Sequence, residues 1–112
     1  MAFLAEYFQV GNTIDFTPGS DVAAGDVIVQ GELVGVANRA ILANELGALS
    51  VEGVFKFAKS NSVAFAVGVD VFWDVADSEA TEDEDTGTNK LIGKTVLAAA
   101  DTDTTLLAKL NQ

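Results

Sequence analysis

The densest set of side chains able to do chemistry lies in residues 77–88, Asp-Ser-Glu-Ala-Thr-Glu-Asp-Glu-Asp-Thr-Gly-Thr. Carboxylates packed this closely invite a calcium reading. An EF-hand loop needs oxygen ligands at alternate positions, glycine at the sixth and glutamate at the twelfth. Counting from Glu82 puts Gly87 sixth, but the twelfth residue is Gly93, which offers no ligand. No dedicated metal site is expected. Glycoside hydrolysis would need an acid of raised pKa held in a cleft, and Asp70, Asp74 and Glu82 all read as exposed carboxylates at turns.

Other chemistries lack their parts. The sequence has no cysteine and no histidine. That removes disulfides and thiolate or zinc–thiolate sites, and with them the commonest general base and pH switch. Ser20, Ser50, Ser60, Ser62 and Ser78 therefore have no histidine partner, nor do they sit in a nucleophile elbow. Gly31 and Gly35 lie in a β context without the following helix that a phosphate loop requires. The chain does not read as an enzyme, and no cofactor is implied.

Composition turns the question toward surfaces. In 112 residues the chain is 49% hydrophobic, yet its formal charge is −11, and its mean hydropathy is +0.30. Two readings fit. Part of the apolar surface is buried against other chains while acidic loops keep the particle soluble, or a core rich in Ala and Val is simply well filled. The six basic residues, Arg39, Lys56, Lys59, Lys90, Lys94 and Lys109, are scattered, so a surface this negative should be repelled by nucleic acid. No apolar run approaches the ~18–20 residues that span a bilayer, so no membrane partner is expected. The start, Met1-Ala2-Phe3-Leu4-Ala5-Glu6, lacks the basic region and length of a signal peptide. The expectation is synthesis in a cytosol.

The elements that must position these residues read as short strands in a single domain over 1–112. The stretch Gly25-Asp-Val-Ile-Val-Gln-Gly31-Glu-Leu-Val-Gly-Val-Ala37 is the strongest β signal in the first half. Val27 and Val29 share one face, and Ile28 takes the other. Gly31-Glu32 between two β-branched runs predicts a type II′ hairpin turn; the alternative is one long strand bulged at Gly31. Further strands are expected at 13–17, in Val54-Phe55-Lys56-Phe57, over 63–74 with a bend at Gly68, around Leu91–Leu97, and at 105–110. Phe55 and Phe57 should share a face, as should Leu106, Ala108 and Leu110.

Residues 38–47 fit either one or two helical turns or an irregular loop with Asn44 left-handed. The acidic block at 77–88 has no apolar periodicity and reads as a solvated loop. Gly25 and Gly68 each follow an alanine two residues earlier and open a β-branched run, which is too little to establish a repeat. Short strands at 8–12-residue spacing predict an all-β fold, a small β-barrel or sandwich. At the N-terminus, residues 1–10 carry Phe3, Leu4, Tyr7 and Phe8 around one charge, Glu6, and are apolar on both faces. They are either a strand buried in their own domain or an arm that adds to a neighbour's sheet.

Taken in order, these pieces resemble a family of small tailed-bacteriophage capsid cement, or head decoration, proteins. The resemblance runs through Ala24-Gly25-Asp26-Val27 and Leu33-Val34-Gly35-Val36-Ala37, then Gly47-Ala48-Leu49 and Gly53-Val54-Phe55-Lys56-Phe57-Ala58-Lys59. It continues in Val71-Phe72-Trp73-Asp74, Ile92-Gly93-Lys94 and Leu107-Ala108-Lys109-Leu110. Ala58 stands where such proteins often have proline, and Asn44 where a turn glycine is usual. The resemblance implies a β-barrel or jelly-roll-like sandwich of short antiparallel strands. It also implies a virion protein on the outer surface of an expanded head, bound to the major capsid protein, as a homo-oligomer (trimer or dimer). Phe3, Leu4, Tyr7 and Phe8 are then the candidate capsid or partner contacts. A β-barrel binding module, or another phage part such as a tail or baseplate subunit, is the alternative.

Overall fold

The structure, a computed structural model, describes residue 5 and residues 11–111. Nine strands form two antiparallel sheets: β1 (Thr13–Phe16), β2 (Val27–Gln30), β3 (Leu33–Ala37), β4 (Gly47–Ser50), β5 (Gly53–Ala58), β6 (Asp70–Asp74), β7 (Glu79–Thr81), β8 (Lys90–Thr95) and β9 (Thr105–Leu110). The first sheet has the order β1-β4-β3-β2 and the second β5-β9-β8-β6-β7. The fold is all-β and sandwich-like, as the spacing of β signals predicts.

Local chemistry explains the best-read elements. Gln30 pairs with Leu33 across Gly31-Glu32, so the hairpin forms and the bulged long strand does not. Gly31 alone of the two turn residues has positive φ, 61°, as a II′ turn demands. In β5, Phe57 is buried and Phe55 half-buried while Val54, Lys56 and Ala58 are exposed; in β9, Leu106, Ala108 and Leu110 are buried. Both strands alternate as expected for sheets with one core face.

Four expectations are corrected or resolved. Residues 38–47 take the irregular course, with Asn44 at φ 65° and Ile41 in an isolated bridge with Val22. The first part of 63–74 is not a strand: Phe65 makes one bridge to Ala99, and the ladder begins only at Asp70. The strand expected around Leu91–Leu97 ends at Thr95. Within 77–88, read as a loop, lies β7, which pairs with β6 through Phe72↔Thr81, Trp73↔Ala80 and Asp74↔Glu79. Ala80 is its single inward side chain, 3% exposed. One small residue in a three-residue strand makes no periodicity.

A further finding concerns the described residues as a whole: they form a repeat. Val27↔Val36 and Ile28↔Gly35 in the first sheet correspond to Asp70↔Lys94 and Val71↔Gly93 in the second. Val36↔Ser50 and Ala37↔Leu49 correspond to Lys94↔Lys109 and Thr95↔Ala108. Thr13↔Ser50 and Phe16↔Gly47 correspond to Val54↔Lys109 and Phe57↔Leu106. The bridges match too. Val22 and Ile41 exchange two backbone hydrogen bonds, as Phe65 and Ala99 do, and Gly25 N–H donates to Ala37 O as Gly68 N–H does to Thr95 O.

Each half thus folds its loops over one face of a four-stranded sheet. The first half gathers Val22, Ala37, Ile41 and Leu49, with Ile14, Phe16 and Ile28 packed alongside. The equivalent positions in the second half include Phe55, Phe57, Phe65, Val71, Ala99 and Ala108, all in the larger core cluster. That cluster also takes Val27, Val29, Val34 and Val36 from the other face of the first sheet, which joins the halves. Between β6 and β8 the second half carries extra chain, including β7 and a 3-10 turn at Asp85–Gly87.

Candidate functional site

The acidic block serves its own backbone. Asp83 Oδ1 accepts from Asp85 N–H at 2.9 Å, and Asp74 Oδ1 accepts from Asp77 N–H at 3.2 Å, turn geometry typical of aspartate. Among the described residues, no three His, Cys, Asp or Glu are placed to hold a metal ion. Asp70 pairs with Lys94 across β6 and β8. Lys90 Nζ reaches Glu32 at 2.9 Å, tying the β2–β3 turn to the second half.

Lys59 has a structural task that no motif announces. It is 5% exposed, and its ammonium donates to Ser60 O at 2.7 Å, Ala100 O at 3.1 Å and Asp103 O at 2.6 Å. A buried ammonium is tolerable only when hydrogen-bonded, and here three carbonyls supply the partners. The side chain closes the loops over the second-half core, 6.0 Å from the Phe65 ring.

Two kinds of surface remain for adhesion. One is exposed apolar side chain: Leu42, Leu46, Val67 and Leu97 are 55–72% exposed. Val67 and Leu97 flank the Phe65–Ala99 bridge in sequence, where the first half has Ala24 and Arg39 at the matching positions. Single exposed apolar residues need no explanation. Here they fall in two loop regions, Leu42 and Leu46 in 38–47 and Val67 and Leu97 beside the Phe65–Ala99 bridge.

The other is a sheet edge. Among the described residues the edges are β1, β2, β5 and β7. Open edges are ordinarily guarded by charge, and Asp15, Lys56 and Glu79 do this in β1, β5 and β7. β2, Val-Ile-Val-Gln, has no charged residue. Hydrogen-bonded and non-bonded pairs alternate along an antiparallel ladder. Ala37 N–H donates to Asp26 O, so Ile28 and Gln30 also turn their backbone groups toward β3. Val27 and Val29 turn theirs outward, where no described residue takes them. A groove of about 390 Å³ runs beside this edge, lined by Gly25, Asp26, Val27 and Ile28 and, from the second half, by Trp73, Val75 and Ser78; Asp26, just ahead of β2, accepts from Ala23 N–H through its carboxylate. In the second half the equivalent edge, that of β6, is covered by β7.

Sequence reasoning located β2 and its two apolar faces but not its position at an edge, which depends on strand order. Phe3, Leu4, Tyr7 and Phe8, the site residues expected from sequence, lie outside the described residues. No helix among the described residues is long and apolar enough to cross a membrane.

Comparison with known proteins gives one result. A family model described as phage cement protein matches residues 8–110. No curated protein and no solved structure matches the chain.

Proposed function

The chain belongs to the phage cement protein family, a structural family of the virion capsid, and we propose that it binds the outer surface of the expanded head and clamps neighbouring capsid subunits together. The observation that carries this reading is the family match across nearly the whole chain. The surface chemistry agrees with it. Exposed Leu42, Leu46, Val67 and Leu97 offer apolar contact, and a charge of −11 suits a place away from packaged DNA. A chain without His or Cys ignores ordinary changes of pH and redox state outside a cell.

The mechanism is linkage. A ligand that binds only the expanded lattice stabilises it by RT ln(1 + [L]/Kd) per site, and it opposes the outward pressure of DNA without any reaction. A copy that touches two capsid subunits beside identical neighbours gains further through effective concentration. The major capsid protein is the proposed partner, in a homo-oligomeric arrangement, with Phe3, Leu4, Tyr7 and Phe8 among the contacts to neighbouring subunits. Co-sedimentation tests it. The purified chain should pellet with expanded heads and not with unexpanded shells, and heads lacking it should release DNA at lower temperature. Failure to bind expanded heads would overturn the reading.

A further inference from the structure

We infer that the open edge of β2 receives residues 2–10 of a neighbouring copy as an added antiparallel strand. The inference rests on the reading of this chain as a shell protein acting in many copies, and it names one contact between those copies.

Four observations carry it. The edge of β2 alone is unguarded by charge, and Val27 and Val29 present their N–H and C=O groups to it. Its side chains are half-buried on both faces: Val27 and Val29 pack on the larger core cluster, Ile28 on the smaller. A strand laid there therefore needs apolar residues on both faces, and residues 2–10 supply Leu4, Phe8 and Val10, with Glu6 among them, against Phe3, Ala5 and Tyr7. The second half shows what belongs at this place, since β7 covers the equivalent edge in antiparallel register. Finally, the groove has a far wall, Trp73, Val75 and Ser78, and so suits one extended segment better than the edge of another folded sheet.

Direction assigns the segment to another copy. Gly11, where the described chain begins in earnest, lines a small pocket with Leu33, at the turn end of the β2–β3 hairpin. A segment running toward Gly11 from the other end of β2 would lie parallel to β2 in its own molecule. All the ladders between named strands are antiparallel, with one isolated parallel bridge, Lys59–Ala80; the proposed strand follows the ladders, and in that direction it comes from another copy. The nine residues 2–10 span about 30 Å when extended, enough to reach a neighbour. Reciprocal donation between two copies closes a twofold dimer, and one-way donation builds a ring when the rotation closes.

A complementation experiment decides it. Val29→Pro removes an outward N–H without touching a hairpin bond, a place where proline is tolerated, and it blocks the edge while leaving the arm. Leu4→Asp combined with Phe8→Asp spoils the arm while leaving the edge. By sedimentation equilibrium the wild type should form oligomers, and each variant alone should stay at the monomer mass of 11.6 kDa. An equimolar mixture should give a species of twice that mass. Unchanged thermal unfolding of each variant monomer verifies folding independently. A mixture that stays monomeric, an arm variant that still self-associates, or a wild type monomeric at every concentration would overturn the inference. Head binding by the wild type reads out the capsid role separately, so either claim can fail without the other.

Discussion

The two halves of the chain hold the same ladders with different side chains, and they part company at one edge. In the second half, extra chain between β6 and β8 supplies β7, which caps β6. In the first half a two-residue turn joins β2 to β3, and among the described residues no strand caps β2. One half thus carries its own edge cover, and in our proposal the other takes its cover from a neighbouring copy.

The comparison can be broken most severely at its equivalent glycines. A Cβ on Gly93 would sit 1.9 Å from Lys109 O, whereas one on Gly35 would meet the Leu49 Cβ at 2.9 Å. Backbone cannot yield without parting β8 from β9, but a side chain can shift. Gly93→Ala should cost about 4 kcal/mol or more, in the range reserved for severe disruption. Gly35→Ala should cost about 1–3 kcal/mol as ordinary overpacking. Urea unfolding of the two variants measures the difference; equal costs would mean that the halves are not packed as described.

Next comes the loop closure that the halves achieve by different means. At the position of Lys59, the first half has Pro18, which is buried as well. Lys59→Met keeps the stem but strips three carbonyls of their donor, and it should destabilise by about 2–3 kcal/mol, the scale of hydrogen bonds to a charged group. Thermal unfolding would report this as a lower Tm. Hydrogen exchange should show faster opening of Phe65 and Ala99 in the second half, with Val22 and Ile41 in the first unaffected.

Smaller effects sharpen the picture of the edge and the first-half loop. Val29→Pro should change monomer stability by less than about 1 kcal/mol, since the lost N–H faces outward, although it abolishes self-association. Asn44 holds φ 65°, a region that costs most residues ~1–2 kcal/mol and asparagine less. Asn44→Gly should therefore raise stability by about 0.5 kcal/mol in a denaturant titration, the smallest effect of the set.

Much of this architecture was legible in the sequence because local signals were strong. Gly31-Glu32 between β-branched runs specified a turn, and the alternation in Val54–Ala58 and Thr105–Leu110 specified two faces. The duplication was not legible, for a reason of volume. Ile14, Val22, Ile41 and Leu49 of the first cluster correspond to Phe55, Phe65, Ala99 and Ala108. Two positions gain bulk where two lose it, and cores tolerate such exchange when total volume is kept. Residue by residue the halves share few identities: Phe16 with Phe57, Ala23 with Ala66 and Ala40 with Ala98, besides Gly25 with Gly68 and Gly35 with Gly93, where a ladder begins or a strand comes close. Lys59 escaped for a different reason, since nothing local distinguishes a buried lysine from a solvated one. Strand order, which makes β2 an edge, is set by long-range pairing that no short window contains.

The most direct test of the account is amide hydrogen exchange at Val27 and Val29, followed in the free monomer and on decorated expanded heads. The account predicts fast exchange in the monomer and strong protection on the head, while the amides of β7-covered β6 stay protected in both. Val27 and Val29 amides that exchange as fast on the head as off it would contradict it.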